Sequence, residues 1–466
     1  MTYEQFLKSK EITVKSSGFE KPLDLMNQML FEWQKDIVYW AIKKGKAALF
    51  EDCGLGKTIQ QLEWAQSVVE HCGAPVLIVA PLAVAEQTKR EGAKFGYAVK
   101  VCRTQNDICS GVNITNYEML EHFDAAAFCG VVLDESSILK NFTSKTRTQI
   151  IDTFKDTMYK LSCTATPSPN DYMELGNQAE FLGVMSRTEM LATYFIHDGS
   201  DTSKWRLKGH AENEFWSWLA NWAVVLTNPS DLGYPSDGYA LPEMKTIEHI
   251  VTVAQEISDG NLTLFAKTAQ TLTERREARR NSIHERCQKA AEIVAECPCE
   301  QWLIWCDLND ESDLLKKLIC GSVEVKGADK PEHKTDALNG FTDGKVKCLV
   351  TKPSIAGFGL NWQSCHNMIF VGLSDSYEMM YQAVRRCYRF GQKSEVNVHI
   401  VTSEAEGAVK ENIERKEKQC ADMTAEMVKH TREILEHEIR GTCRIVIPYN
   451  PKIEMIIPTW LRSMTA

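Results

Sequence analysis

The 466-residue chain lacks any apolar run of the roughly 18 residues that a membrane-spanning helix needs, and its start, Met1-Thr-Tyr-Glu-Gln5, has neither a basic nor an apolar region. No export signal and no contact with a membrane are expected, so the protein is predicted to stay in the cytosol. It also lacks an excess of basic charge, with 53 Lys and Arg against 63 Asp and Glu for a net charge of −10. That balance excludes a surface that is basic all over, while leaving room for a local basic cleft. None of the 16 cysteines stands in a C-x-x-C pair, and the closest two are Cys297 and Cys299. Neither a zinc ribbon nor a thioredoxin-like motif can be built locally, and no zinc is expected. Cysteines such as Cys306 and Cys348 sit in apolar stretches, where a reduced thiol acts as a small hydrophobe. Internal repeats of about 20 to 50 residues and low-complexity tracts are missing as well.

What is present is an ordinary globular composition, 44% hydrophobic and 25% charged, on a chain long enough for about three domains or two large ones. Apolar stretches of strand length alternate with longer helix-patterned stretches, which predicts an α/β fold with parallel sheets covered by helices. In the first half the expected strands are 47–50, 76–80, 112–115, 131–133 and 160–164. In the second half they are 302–306, 322–325, 347–351, 368–371 and 396–401. Between the halves, 194–243 is rich in aromatics, with Trp205, Trp216, Trp218 and Trp222, and ends in a run of Asn, Pro, Asp and Gly that reads as turns and an extended connection. Those aromatics suit a core, or alternatively stacking on bases. From Glu274 to Lys289 the residues Arg275, Arg276, Arg279, Arg280, Arg286 and Lys289 read as a solvated helix face or a phosphate-facing stripe. A charged helix is expected after Ala405 to about Arg440, followed by a short apolar tail through Trp460 to Met464.

Asp52-Cys-Gly-Leu-Gly-Lys-Thr58 follows a strand and precedes a helical pattern, the context of a phosphate-binding loop. Gly54 and Gly56, flanking Leu55, let backbone N–H groups close around phosphate oxygens. Lys57 can reach the β and γ phosphates of ATP, and the Thr58 hydroxyl can hold Mg2+. Glu51 stands where the G-x-x-x-x-G-K-[ST] pattern has its first glycine. Val131-Val-Leu-Asp-Glu135 is a strand ending in two acids, Asp134 suited to Mg2+ and Glu135 to polarising the attacking water. Solvated strand-end acids are the plainer alternative. Leu161-Ser-Cys-Thr-Ala-Thr-Pro167 ends a strand in hydroxyls that can link the site to a second ligand. In Tyr381-Gln-Ala-Val-Arg-Arg-Cys-Tyr-Arg-Phe-Gly-Gln392, helical spacing puts Gln382, Arg386 and Arg389 on one face. Two guanidiniums there suit bidentate phosphate contacts, as arginine fingers or as surface ion pairs.

Together these residues resemble the Swi/Snf-type branch of the superfamily 2 helicases and DNA translocases, over about Leu30 to Val401 and with compact phage-encoded helicases as the nearest likeness. The segments similar to its motifs are Phe31-Glu-Trp-Gln34, Gly54 to Thr58, Ala80-Pro-Leu82, Ile114-Thr-Asn-Tyr-Glu118, Asp134-Glu-Ser-Ser137, Thr164-Ala-Thr-Pro167, Ala356-Gly-Phe-Gly-Leu-Asn361 and Gln382 to Gln392. The resemblance implies two RecA-like lobes with ATP and Mg2+ between them and DNA, of duplex form, across both. It implies that Gln34 reads the adenine edge with Phe31 or Trp33 near the base, and that Pro81, Asn116, Lys352 and Asn361 lie near the nucleic acid. It also implies a bacterial or phage-infected cytosol, and it names no protein partner. The expected division is an N-terminal lobe over 1–245 including the connection 194–243, a C-terminal lobe over 246–405, and a helical extension and tail over 406–466. An ATP-dependent RNA helicase and a catalytically vestigial nucleic-acid-binding protein are the alternative functions. The Asp-Glu-Ser-Ser form of the acidic motif weighs against the former, and the full set of Lys57, Thr58, Asp134, Glu135, Arg386 and Arg389 against the latter.

Lys57→Ala should abolish ATP hydrolysis while leaving the fold intact, because a loop side chain contributes little to core stability. Turnover close to wild type in that variant would remove the loop as the nucleotide site.

Overall fold

The computed structural model describes residues 16–443 apart from 83, 199–200, 237, 254–271, 358–359 and 375. The expected apolar tail and two residues of the Ala356–Asn361 segment therefore lie outside the described residues. Two all-parallel sheets dominate. The first has the strand order β3-β4-β2-β5-β6-β1-β9, built from β1 (Lys46–Glu51), β2 (Val76–Ala80), β3 (Val99–Val101), β4 (Val112–Asn116), β5 (Gly130–Asp134), β6 (Tyr159–Cys163) and β9 (Ala223–Leu226). A hairpin of β7 (Phe195–Asp198) and β8 (Asp201–Leu207) stands apart from it. The second sheet has the order β10-β15-β14-β11-β13-β12, from β10 (Met244–Val251), β11 (Trp302–Cys306), β12 (Val323–Val325), β13 (Cys348–Thr351), β14 (Asn367–Val371) and β15 (Val396–Ser403). Every strand expected from the sequence is present, and the class is α/β with two RecA-like lobes.

Because successive side chains of a strand point to opposite faces, a strand buried on both sides reads as a continuous apolar run. Ala47 and Leu49 of β1 enter one core and Ala48 and Phe50 the other. In the second lobe Leu303 and Trp305 face one core while Trp302, Ile304 and Cys306 face its counterpart. The helices that cover these faces and matter below are α1 (Glu32–Lys44), α2 (Lys57–Cys72), α3 (Glu212–Ala220), α4 (Leu272–Asn281), α5 (Ile283–Glu296), α6 (Tyr377–Val384) and α7 (Gly407–Cys443).

The aromatic segment 194–243 is more than a connection. Its helix α3 buries Phe215, Trp216 and Trp218 beside Trp222, and β9 then joins the first sheet next to β1. The core reading holds for these three tryptophans, while Trp205 is only partly buried, its ring centroid 3.7 Å from that of His197 in the hairpin. Helix α7 has 37 residues, so it is about 55 Å long at 1.5 Å per residue. That length lets it bury Val409 and Ile413 in a second-lobe core and Met427, Leu435 and Ile439 in first-lobe cores. Near its end Glu438 accepts the indole N–H of Trp40 at 3.0 Å and pairs with Lys44 at 3.0 Å.

The arginine-rich stretch departs from both readings at Arg279 and Arg286. Arg286 is fully buried and pairs with Glu311 at 2.8 Å and Glu406 at 3.6 Å, and Arg279 pairs with Asp307 at 2.7 Å and Glu406 at 3.6 Å. The carboxylates come from the loop and helix after β11 and from the turn just before α7, partners that helical periodicity within the segment cannot reveal. Arg280 stays exposed, and Lys289 pairs with Glu292 along its own helix at 3.5 Å. The side chains of Arg275 and Arg276 lie outside the described residues. Removing one member of a buried ionic cluster strands the others, at a cost of about 3 to 5 kcal/mol. Arg286→Ala should lower the unfolding free energy of the second lobe, read from urea denaturation, by that amount, and a loss under about 1 kcal/mol would show that the cluster is solvated.

Candidate active site

In a parallel sheet the loops that follow the strands all emerge at one edge. The glycine loop 52–58 follows β1, and its turn depends on Gly54 and Gly56, at φ values of 92° and 81°. A Cβ on Gly54 would stand 2.9 Å from the Phe390 backbone nitrogen, and one on Gly56 2.5 Å from Gln34 Nε2, so both positions need glycine for space as well as for conformation. Lys57 opens α2, and its ammonium donates to the carbonyls of Glu51 at 2.7 Å and Asp52 at 3.1 Å. Gln34 accepts the Phe31 N–H at 3.0 Å, closing the first turn of α1, and donates from Nε2 to the carbonyl of the buried Leu55 at 2.8 Å. It therefore braces the phosphate loop, with one amide hydrogen left for another acceptor. The Phe31 ring is 51% exposed while Trp33 is buried.

Asp134 ends β5, where Oδ1 accepts from Gln61 of α2 at 2.8 Å and its carbonyl accepts the Tyr117 hydroxyl at 2.7 Å. Glu135 follows at φ 54°, the one left-handed non-glycine among the described residues, a conformation that costs about 1 to 2 kcal/mol and marks functional turns. Its side chain is buried with Oε2 unpartnered. Burial first, and the adjacent Asp134 second, push the Glu135 carboxyl up to about 7 against the pull of Lys57 and Arg386. Glu51, also buried, is pushed up to about 7 by loss of water, opposed by Lys57 and by the 2.7 Å hydrogen bond from Gln60.

From the second lobe, α6 stops at Val384, short of the single helix expected to carry Gln382, Arg386 and Arg389. The last bonds tighten to the 3₁₀ pattern, with Arg386 N bonding Ala383 O and Cys387 N bonding Val384 O. The Arg386 guanidinium takes over the freed acceptors, donating to Gln382 O at 2.9 Å, Gln382 Oε1 at 3.1 Å and Leu360 O at 3.0 Å. Arg389 donates to Leu360 O at 3.4 Å, and Gln382 is left with a buried, unpartnered Nε2. One cavity of about 150 Å³ is lined by Gly54, Gly56, Lys57, Thr58, Asp134 and Glu135 of the first lobe and by Arg386 and Arg389 of the second. Tertiary structure thus brings together the loop, the acids and the arginine pair.

The proposed nucleic-acid residues sit elsewhere on the same edges. Pro81 follows β2, Asn116 ends β4 and caps the next turn through Met119 N at 3.0 Å, and Lys352 follows β13. Asn361 keeps a buried, unpartnered Oδ1.

Sequence profiles place this arrangement. The SNF2-related domain matches residues 33–194 and the helicase conserved C-terminal domain matches residues 285–391. The chain belongs to the Swi/Snf-type branch of superfamily 2. It is 24% identical over 405 residues to the SWI/SNF-related matrix-associated actin-dependent regulator of chromatin subfamily A-like protein 1 of Xenopus tropicalis, covering 80% of this chain and 42% of that one. The Drosophila melanogaster protein of that name is 21% identical over 396 residues, covering 79% and 52%. The chain thus spans about half the length of these relatives. A solved Sulfolobus solfataricus SWI2/SNF2 ATPase core in complex with dsDNA aligns with a TM-score of 0.41 at 18% identity, covering 89% of this chain and 97% of that one. The two matched segments fall in the two lobes, and helix α7 follows both in the chain.

Several cleft residues gave no sequence signal of their own: Asp52, Lys140, Glu378, Tyr381 and Arg385 carry cross-lobe contacts, and Tyr239 packs between Phe31 and Phe390 at centroid distances of 6.1 and 4.8 Å. No group of three or more His, Cys, Asp or Glu that could hold a metal occurs among the described residues, and none of their helices is long and apolar enough to cross a membrane. Beside the Glu174 carboxyl, which burial also pushes up to about 7, infrared titration should find two further carboxyls ionising near pH 7, one lost in Glu135→Gln and the other in Glu51→Gln. Both are neutral below that pH and charged above it, so a spectrum with all carboxyls ionised by about pH 5 would contradict their burial.

Proposed function

We propose that the chain is a nucleic-acid-dependent ATPase that translocates on duplex DNA or separates its strands. The observation that carries this reading is the single cavity to which Lys57, Thr58, Asp134, Glu135, Arg386 and Arg389 all contribute from two lobes. The loop amides and Lys57 would hold the β and γ phosphates, and Phe31 and the spare Gln34 hydrogen the base. The donor set fits Mg2+, which takes one or two carboxylates plus phosphate oxygens and not a closed protein cage. Thr58 and Asp134 would hold it, and it would supply charge neutralisation at the phosphates.

Glu135 would orient water and accept its proton, and a carboxyl pushed up to about 7 suits a group that must both take and release one. Arg386 and Arg389 would meet the transferring phosphoryl group when the lobes close, and Gln382 keeps a spare Nε2 donor beside them in the chain. Opening and closing would then shift the grip of Pro81, Asn116, Lys352 and Asn361 along the phosphate backbone. The relatives' description as regulators of chromatin supports DNA as the partner.

The test is steady-state ATP hydrolysis with duplex DNA, single-stranded DNA and RNA as separate stimulators. Stimulation by duplex DNA is expected, stimulation by RNA alone would make the chain an RNA helicase, and no hydrolysis would make it vestigial. Arginine fingers are worth roughly 10^3 to 10^5 in turnover. Arg386→Ala or Arg389→Ala should therefore lower kcat by about that factor and raise KM for ATP far less. If both variants keep kcat within about threefold of wild type, the two-lobe site is wrong.

A further inference from the structure

Helix α6 and the residue after it place Glu378, Tyr381, Gln382 and Arg385 at i, i+3, i+4 and i+7, which is one helical face. That face meets the first lobe. Glu378 pairs with Lys140 and accepts the Thr166 hydroxyl at 3.4 Å. The Tyr381 hydroxyl donates to Asp52 Oδ1, and Arg385 Nη2 lies 2.5 Å from Asp52 Oδ2. Asp52 Oδ1 also accepts the Cys53 N–H at 2.6 Å, so one carboxylate joins the turn of the phosphate loop to a helix of the other lobe.

The pair is well shielded, with side-chain exposures of 18% for Asp52 and 15% for Arg385. Arg385 is fixed further by Tyr381 and Tyr388, whose ring centroids lie 5.2 and 5.5 Å from its guanidinium carbon, and it donates to Tyr388 O at 3.4 Å. None of Asp52, Tyr381 and Arg385 lines the phosphate cavity. Asp52 and Tyr381 face a separate cavity of about 640 Å³ under α7, and Arg385 one of about 280 Å³. These three side chains therefore stand outside the cavity proposed for the chemistry, yet they sit one residue from Arg386 on one side and two from Gly54 on the other.

We propose that Asp52, gripped by Arg385 and Tyr381, is a latch between the lobes that sets the placement of Arg386 and Arg389 over the phosphate site. Asp52 and Arg385 are then positioning residues for hydrolysis, an inference that rests on the ATPase reading. A charge pair across the cleft is desolvated only when the lobes close, and on opening both groups return to water. The latch therefore favours the closed arrangement without trapping it.

The experiment is ATPase kinetics at saturating duplex DNA for Asp52→Asn, Arg385→Gln and the double variant. Each single change should lower kcat by about 10- to 100-fold, the size of coupling between groups in direct contact, with KM for ATP within about threefold. The double variant should fall no further than the worse single one, and Arg385→Lys should recover part of the loss. Losses that multiply in the double variant, or singles within about threefold of wild type, would overturn the latch. Small-angle scattering of the nucleotide-free protein supplies a readout that does not need catalysis. The radius of gyration should rise in Asp52→Asn and Arg385→Gln but not in Lys245→Gln, which loses only an exposed 2.7 Å pair with Glu395 at the opposite sheet edge. If the wild type proves inactive, the ATPase reading fails and the scattering comparison alone decides the latch. Unchanged scattering would overturn it.

Discussion

Parallel pairing governs where chemistry can occur in this protein. Each strand of the two large sheets pairs parallel with its neighbours, so every strand delivers its last residue to the same edge. That edge receives the glycine loop 52–58 from β1, Asp134 and Glu135 from β5 and the Thr164–Thr166 turn from β6. The second lobe sends Asp307, Lys352 and Gly372 to its own equivalent edge. When the two edges face each other, residues far apart in the chain become neighbours without any of them leaving a rigid element. The price of parallel pairing is long crossovers, which here supply the helices that bury both faces of each sheet.

The cleft between these edges is electrostatically tense. Glu51, Asp134 and Glu135 are three carboxyls set around one lysine and one buried arginine. Loss of hydration raises all three, and the neighbouring cations only partly offset it. Glu135 adds backbone strain at φ 54° and an unpartnered oxygen. Such a site is unfavourable by itself, and the two cores beneath β1 and β5 hold it in place. Extra negative charge from phosphate would suit the loop amides and Lys57, while a divalent cation would relieve the carboxyls. The groups that make the cleft costly are the ones to which the ATPase reading assigns a metal-bound polyphosphate.

Two devices join the lobes at different ranges. Helix α6 touches the first lobe directly through Glu378, Tyr381 and Arg385, which tie to Lys140, Thr166 and Asp52. Helix α7 acts over a longer distance, rooted near Glu406 in the buried cluster of Arg279 and Arg286 and ending against α1 at Trp40 and Lys44. The first device is polar and can be remade after opening. The second buries Met427, Leu435 and Ile439, so its release would expose apolar surface, and the two contacts differ in how readily they let the lobes separate.

The sequence by itself determined the α/β class, ten of the strands, the glycine loop before Lys57, the acidic pair and the arginine pair, because each is written in local spacing. Apolar runs of strand length, glycines before Lys57 and acids at a strand end need no distant partner to be read. Tertiary structure alone decided that Arg279 and Arg286 turn inward, since their carboxylates come from other elements. It also decided that 194–243 contributes β9 to the sheet, because the short run Ala223–Leu226 becomes a strand only beside β1. Helix α6 stops at Val384 although its pattern continues, since Arg386 satisfies the end of the helix better than another turn would. Asp52 and Arg385 look like ordinary charges in sequence, and only the folded chain makes them a pair, because an ion pair depends on distance in space and carries no periodicity.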